Sequence, residues 1–222
     1  MTSHNYHIGT GFHQSPGAME FFGVWLENTL KHSEPKRITV LSDSGSMLPL
    51  EHPLVLNLNL QGDLGHFMKL VNGEKPYALN GWSGTIITLA MIAYCDEADF
   101  VFVEQDCLFF GPCIERMYDE LGTAKAIWGN CSFMPCEQSL FLVMHDQIPE
   151  FVKHYLDGPP QNREGEFGED KFKRMEEKYP EQYKRFSFGV GRDRPITPDA
   201  EVWYAQKYSA EELAMLKAKG LI

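Results

Sequence analysis

Apolar residues along this chain switch repeatedly between strand spacing and helix spacing. "YHIGTGF" (6–12) predicts a short strand leading into a glycine-bearing loop over 9–17. Ser15-Pro16 then has the form of an N-cap followed by proline at the first helical position. Met19, Phe22, Trp25 or Leu26, and Leu30 follow at helical spacing, and Pro35 ends that helix. "RITVLSDSG" (37–45) is a β-branched run that closes on polar residues and glycine, a strand and then a loop. "LVLNLNL" (54–60) alternates leucine with asparagine, which predicts a strand with one wetter face near a sheet edge. "NGWSGTIITLAMIAYCDEA" (80–98) predicts a buried helix after a glycine-bearing turn that holds Trp82 and Ser83.

Residues 99–105 form an apolar strand, and Ile114, Met117, Tyr118 and Leu121 make the stripe of a short helix. "AKAIWG" (124–129) and "SLFLVMH" (139–145) are further strands. Ile148, Phe151, Val152 and Tyr155 mark the next helix, with Asp146 placed to cap it. "LDGPPQNREGE" (156–166) is a loop by composition, followed by a charged helix from about Gly168 to Tyr179. "RFSFGVG" (185–191) has the composition of a late strand, and Ser209 with Glu212 forms a capping box for a last helix ending at Gly220. Strands alternating with helices predict an α/β fold around a mostly parallel sheet. Such sheets bind ligands beyond the carboxyl ends of their strands, so the loops at 9–17, 42–46 and 104–112 are expected along one rim.

Composition narrows the function. The length of 222 residues suits a single domain, and 43% hydrophobic content supports a sizeable core. A net charge of −11 argues against a nucleic-acid or anionic-membrane surface, but not against a phosphate ligand whose charge a divalent cation neutralises. Five cysteines without paired spacings read as thiols in a reducing compartment. The start of the sequence has no basic-then-apolar leader, and "GTIITLAMIAYC" is too short to span a bilayer, so a cytoplasmic location is expected.

Candidate chemistry centres on "DFVFVEQDCLFFGP" (99–112). "DFVFV" lacks alternation, as expected of a central parallel strand buried on both faces. In an extended chain Glu104 and Asp106 point to the same side, with α-carbons roughly 6–7 Å apart. Two carboxylates so placed either solvate a turn or share a hard cation, Mg²⁺ or Mn²⁺, with phosphates completing its shell.

An apolar strand, an acidic E-x-D, an apolar pair and Gly-Pro after several α/β units resemble the D-x-D region of nucleotide-sugar glycosyltransferases of the GT-A fold. The likeness extends more loosely over 5–195, through "HIGTGFHQ", "NGWSGTIITLAMIAY" and "SLFLVMHDQIPEFVKHYL". The chain departs from the motif in having Glu104 where Asp is usual. The resemblance implies a GT-A-like, Rossmann-like sheet flanked by helices. It implies a hexosyltransferase-like enzyme that moves sugar from a nucleotide-sugar donor, a UDP-sugar, to a glycan or other hydroxyl acceptor. Asp106 is then the direct ligand of Mn²⁺ or Mg²⁺, and Glu104 acts as a second ligand or through water or the donor ribose. It also implies a nucleotide-binding half over about 1–112, an acceptor-side half over about 113–200 and a C-terminal helix over about 209–220.

Other positions take their expected roles from the same resemblance. Glu169 and Asp170 in "EFGEDKF" either complement a helix dipole or supply the acceptor base, with Asp170 preferred. Thr10, Gly11 and Phe12, together with Asp43, Trp82 and Ser83, lie where the fold touches base and ribose. Arg192 and Arg194 in "GVGRDRPI" suit a diphosphate, because planar guanidinium donors match its oxygens. Glu137 is a candidate sugar contact, and His145 a late metal ligand or a polar strand end. Two alternatives stay open: a sugar-phosphate nucleotidyltransferase, disfavoured because "GTGFHQSPG" lacks Lys and Arg, and a non-catalytic nucleotide- or glycan-binding module of the same fold.

Overall fold

The computed structural model describes residues 4–12, 18–42, 48, 51–59, 68–69, 77–78, 81–130, 136–157, 168–188, 204–206, 208–220 and 222. For 18–20, 68–69, 77–78 and 81–82 the description covers the backbone only. Strand β1 (Tyr6–Phe12) is followed by helix α1 (Ala18–His32), β2 (Arg37–Ser42), β3 (Val55–Asn59) and the short pair β4 (Met68–Lys69) and β5 (Tyr77–Ala78). Helix α2 (Gly81–Cys95) leads to β6 (Asp99–Val103), β7 (Cys107–Phe109), α3 (Cys113–Leu121), β8 (Ala126–Gly129) and β9 (Glu137–Val143). A 3₁₀ turn at His145–Gln147 opens α4 (Ile148–Leu156), and α5 (Gly168–Lys178), β10 (Tyr183–Arg185), β11 (Tyr204–Gln206) and α6 (Ala210–Ala218) complete the order.

Among the described residues the main sheet has seven strands in the order β10-β8-β9-β6-β1-β2-β3. Every neighbouring pair is parallel except those made by β9, which runs antiparallel to both β6 and β8. The mostly parallel α/β sheet expected from the sequence is therefore present, with one reversed strand. The reversal follows from chain length: only residues 130–136 join β8 to β9, too few for the crossover a parallel pair requires.

Alternate residues of the central strands feed two cores. Val101, Val103, Leu140 and Leu142 pack with Trp25, Ile114 and Met117 on one face. Phe100, Phe102, Phe141 and Val143 pack with Ile86, Leu89, Phe151 and Phe172 on the other. Helices thus cover both faces, and "DFVFV" is buried on both sides as its sequence predicts. "LVLNLNL" becomes the edge strand β3. The capping box at Ser209 and Glu212 is formed, and Gly220 has φ +66° just beyond the helix end.

Several boundaries differ from the sequence expectation. Gly9, Thr10, Gly11 and Phe12 are not loop but the second half of β1. Gly9 serves helix packing there: a Cβ at this position would sit 2.7 Å from Phe100 Cε2 and 3.0 Å from Leu89 Cβ, so α2 approaches the strand only over hydrogen. Trp82 and Ser83 belong to the first turn of α2 rather than to a preceding turn. The late strand covers Tyr183–Arg185, and residues 186–188 are outside it. Asp146 lies inside the 3₁₀ turn and does not cap α4, whose N-cap is Gln147. The Ser15-Pro16 start of α1 falls outside the described residues.

Candidate active site at the carboxyl rim of the sheet

The acidic segment is a tight turn held on both sides. The Glu104 N–H donates to Ser139 O at 2.8 Å, extending the β6–β9 ladder by one residue. The Cys107 N–H then returns to Glu104 O at 2.9 Å, so the chain reverses over Gln105 and Asp106. Glu104 and Asp106 are therefore not two same-side residues of an extended strand, which corrects the spacing argument. Beyond the turn, β7 pairs antiparallel with β11, setting Gln206 opposite Cys107 and Tyr204 opposite Phe109. The Asn28 side chain of α1 brackets Phe109, donating to its carbonyl at 2.9 Å and accepting from its N–H at 2.7 Å. Glu104, Gln105 and Asp106 are half-buried, whereas Cys107, Leu108 and Phe109 are fully buried.

A third carboxylate lies beside the turn. Glu137 begins β9, is fully buried, and accepts from the Ser139 N–H at 3.1 Å. It packs over Gly129: a Cβ there would sit 2.7 Å from Glu137 Cβ and 2.5 Å from the Tyr204 hydroxyl. Burial pushes the Cys107 thiol well above its usual pKa, and the charges of Cys113, Asp106, Glu137 and Glu104 push it further.

The first turn of α5 reaches the same region through Cys136, whose thiol donates to Glu169 O at 3.3 Å. Burial raises the Cys136 pKa, and the charge of Glu169 adds to the shift. Glu169 is only 4% exposed, and Asp170 is the more open of the pair. The acidic turn adjoins β9 at Ser139 and the start of α5 adjoins it at Cys136, so both elements reach the start of β9. Half-buried and buried oxygen donors of this kind suit a hard divalent cation. Among the described residues, no three His, Cys, Asp or Glu side chains already stand in a metal-holding arrangement.

The remaining candidates divide. Thr10 and Phe12 lie at the carboxyl end of β1, but Thr10 is fully buried and Phe12 packs edge-on against Phe22 at 5.3 Å; Gly11 is half-exposed. Ser83 is buried, with its hydroxyl 2.8 Å from that of Tyr155. Asp43, Arg192, Arg194 and the Trp82 side chain lie outside the described residues. His145 is at the opposite rim: its N–H donates to Asp99 at the amino end of β6, and its ring stacks on Tyr94. The reversed direction of β9 carries it there. Tyr204 and Gln206 went unread in the sequence, where only the aromatic and β-branched run "VWY" hinted at a strand.

No sequence-family model matches the chain, and neither does any curated protein. Solved structures do match its shape. An active-site mutant of LgtC superposes with a TM-score of 0.58 at 11% identity, over 96% of this chain and 95% of that one. The galactosyltransferase LgtC in complex with donor and acceptor sugar analogs gives 0.54 at 10% identity, over 92% and 87%. Mouse xyloside xylosyltransferase 1 gives 0.54 at 11% identity, over 91% and 97%. The chain has the GT-A glycosyltransferase fold. In this GT-A chain, the acidic turn, Glu137 and the start of α5 all lie at the carboxyl rim of the parallel strands. This is where open α/β sheets take their ligands. Among the described residues of this GT-A chain, no helix is long and apolar enough to cross a membrane.

Proposed function

We propose that the protein is a metal-dependent glycosyltransferase that moves a sugar from a nucleoside-diphosphate sugar, a UDP-sugar, to the hydroxyl of a glycan or similar acceptor. The observation that carries this reading is the acidic turn at Glu104–Asp106, presented at the carboxyl rim of a GT-A sheet beside Glu137 and the first turn of α5. Donor- and acceptor-analog binding by the similar galactosyltransferase LgtC supports it.

Asp106 and Glu104 would hold Mn²⁺ or Mg²⁺. When bound, the ion supplies Lewis-acid stabilisation of the charge that grows on the leaving diphosphate. The chain's own residues do the rest. Asp170 accepts the acceptor hydroxyl proton as general base, a role its greater exposure supports over buried Glu169. Gly11 and Ser83 lie on the donor side of the rim, and Arg192 and Arg194 offer the diphosphate planar donors. A reducing cytoplasm suits Cys95, Cys107, Cys113 and Cys136, which are all free thiols.

A thermal-shift panel of nucleoside diphosphates and nucleotide sugars, with and without Mn²⁺, tests the reading. The expected result is a stabilisation by UDP and one UDP-sugar that requires Mn²⁺. Equal shifts without metal, or no shift with any nucleotide, contradict it.

A further inference from the structure

Asp170 performs as a base only if the first turn of α5 is held still against the rim. Lys171, the next residue, is 5% exposed. Its Nζ donates to Tyr155 O at 3.3 Å and lies 4.9 Å from the centroid of the Tyr155 ring. That carbonyl belongs to the last turn of α4. The far end of the same tyrosine places its hydroxyl 2.8 Å from Ser83 Oγ, in the first turn of α2. One buried polar path therefore joins the start of α5, the end of α4 and the start of α2.

The start of α2 lies on the site side of the sheet. Thr85 meets Gly11 near the carboxyl end of β1, and Leu89, one turn on, meets Gly9. Helix α2 thus runs antiparallel to β1, and Ser83 lies at or beyond the strand end. The path from Lys171 ends at the rim that carries the acidic turn.

An ammonium is an expensive way to fill this position. Burial lowers the Lys171 pKa, and among the described residues its Nζ meets no carboxylate. Its positive charge also sits near the positive end of the α5 dipole. A methionine of similar length would fill the space without desolvating a charge. What the ammonium adds is the bond to the α4 carbonyl and the contact with the Tyr155 face.

We propose that Lys171 is a positioning residue: by tying the first turn of α5 to the end of α4, and through Tyr155 to Ser83 on α2, it orients Asp170 at the rim. The inference rests on the reading of Asp170 as base. The test compares full-length Lys171→Met and Lys171→Arg with the parent. Readouts are thermal midpoint, hydrogen exchange at the Phe172 and Lys173 amides, which close the first turn of α5, and Mn²⁺-dependent hydrolysis of the UDP-sugar. For Lys171→Met the expectation is exchange faster by about tenfold at those amides, with the midpoint unchanged or raised. Its kcat falls about tenfold to a hundredfold at unchanged KM, the mark of a misplaced catalytic group. Lys171→Arg, which keeps a donor for the carbonyl, recovers both exchange and kcat. Unchanged exchange in Lys171→Met, a kcat equal to the parent's, or a midpoint lowered by more than about 5 °C overturns the proposal. If the parent hydrolyses no nucleotide sugar, the enzymatic reading has failed instead, and the exchange and midpoint results alone decide the polar path.

Discussion

Gly129 is the residue over which two sides of the rim close. A methyl group there would meet the Tyr204 hydroxyl at 2.5 Å and Glu137 Cβ at 2.7 Å, and neither neighbour is a flexible chain end. Gly129→Ala is expected to destabilise the protein by about 1–3 kcal/mol, read as a lower urea midpoint at unchanged m-value. His7 makes a second prediction, far from the site. It is 2% exposed, and burial lowers its pKa to about 4 despite Asp96 at 3.4 Å; Arg37 and Lys36 add to the lowering. The folded state therefore binds this proton less readily than the unfolded chain does. The contribution is fully present above the unfolded value of about 6.5 and is lost as pH falls toward 4. Between pH 7 and pH 5 this one group removes about 2 kcal/mol of stability. Urea unfolding at both pH values checks it: His7→Gln should flatten the slope, and an unchanged slope would show that other groups set it.

At the scale of elements, the acidic turn depends on neighbours that bring no chemistry of their own. Asn28 is 3% exposed, and its side-chain amide bonds both the N–H and the C=O of Phe109. Asn28→Ala leaves a buried N–H and C=O without those partners, at a cost of about 2 kcal/mol or more. Thermal melts with and without ligand would check it, and a midpoint equal to the parent's would show that β7 is held by its ladder with β11 alone. The same elements explain what was legible in the sequence. The apolar runs of β6 and β9 and the stripes of α3 and α4 could be read directly, because burial on one face or both dictates composition. The strand over 6–12 could be read as well, but the packing reason for Gly9 could not, because glycine looks like a turn until the helix it admits is known. The direction of β9 follows from the short 130–136 connection, and it carries His145, a polar residue just past the strand end, to the rim opposite the acidic turn. β11 is three residues long and gains its partner, β7, only in three dimensions.

For the whole molecule, topology does what no single motif does. Parallel β1, β2, β6 and β8 all end at one rim, and reversed β9 begins there, so Glu104, Asp106 and Glu137 share that rim although the ends of the set are 33 positions apart. The acidic pair was visible in the sequence; its tight turn and its third carboxylate came from the ladder of β6 with β9. An excess of 31 acidic over 20 basic residues makes the surface unattractive to an anionic nucleotide unless a cation mediates. Calorimetric titration of UDP into the parent and into Asp106→Ala, each with and without Mn²⁺, tests that claim most directly. The parent is expected to bind UDP only with Mn²⁺, and Asp106→Ala, folded as judged by an unchanged thermal midpoint, to lose at least about tenfold in affinity, or roughly 1.4 kcal/mol. Binding of UDP and Mn²⁺ by the variant as tightly as by the parent would contradict it.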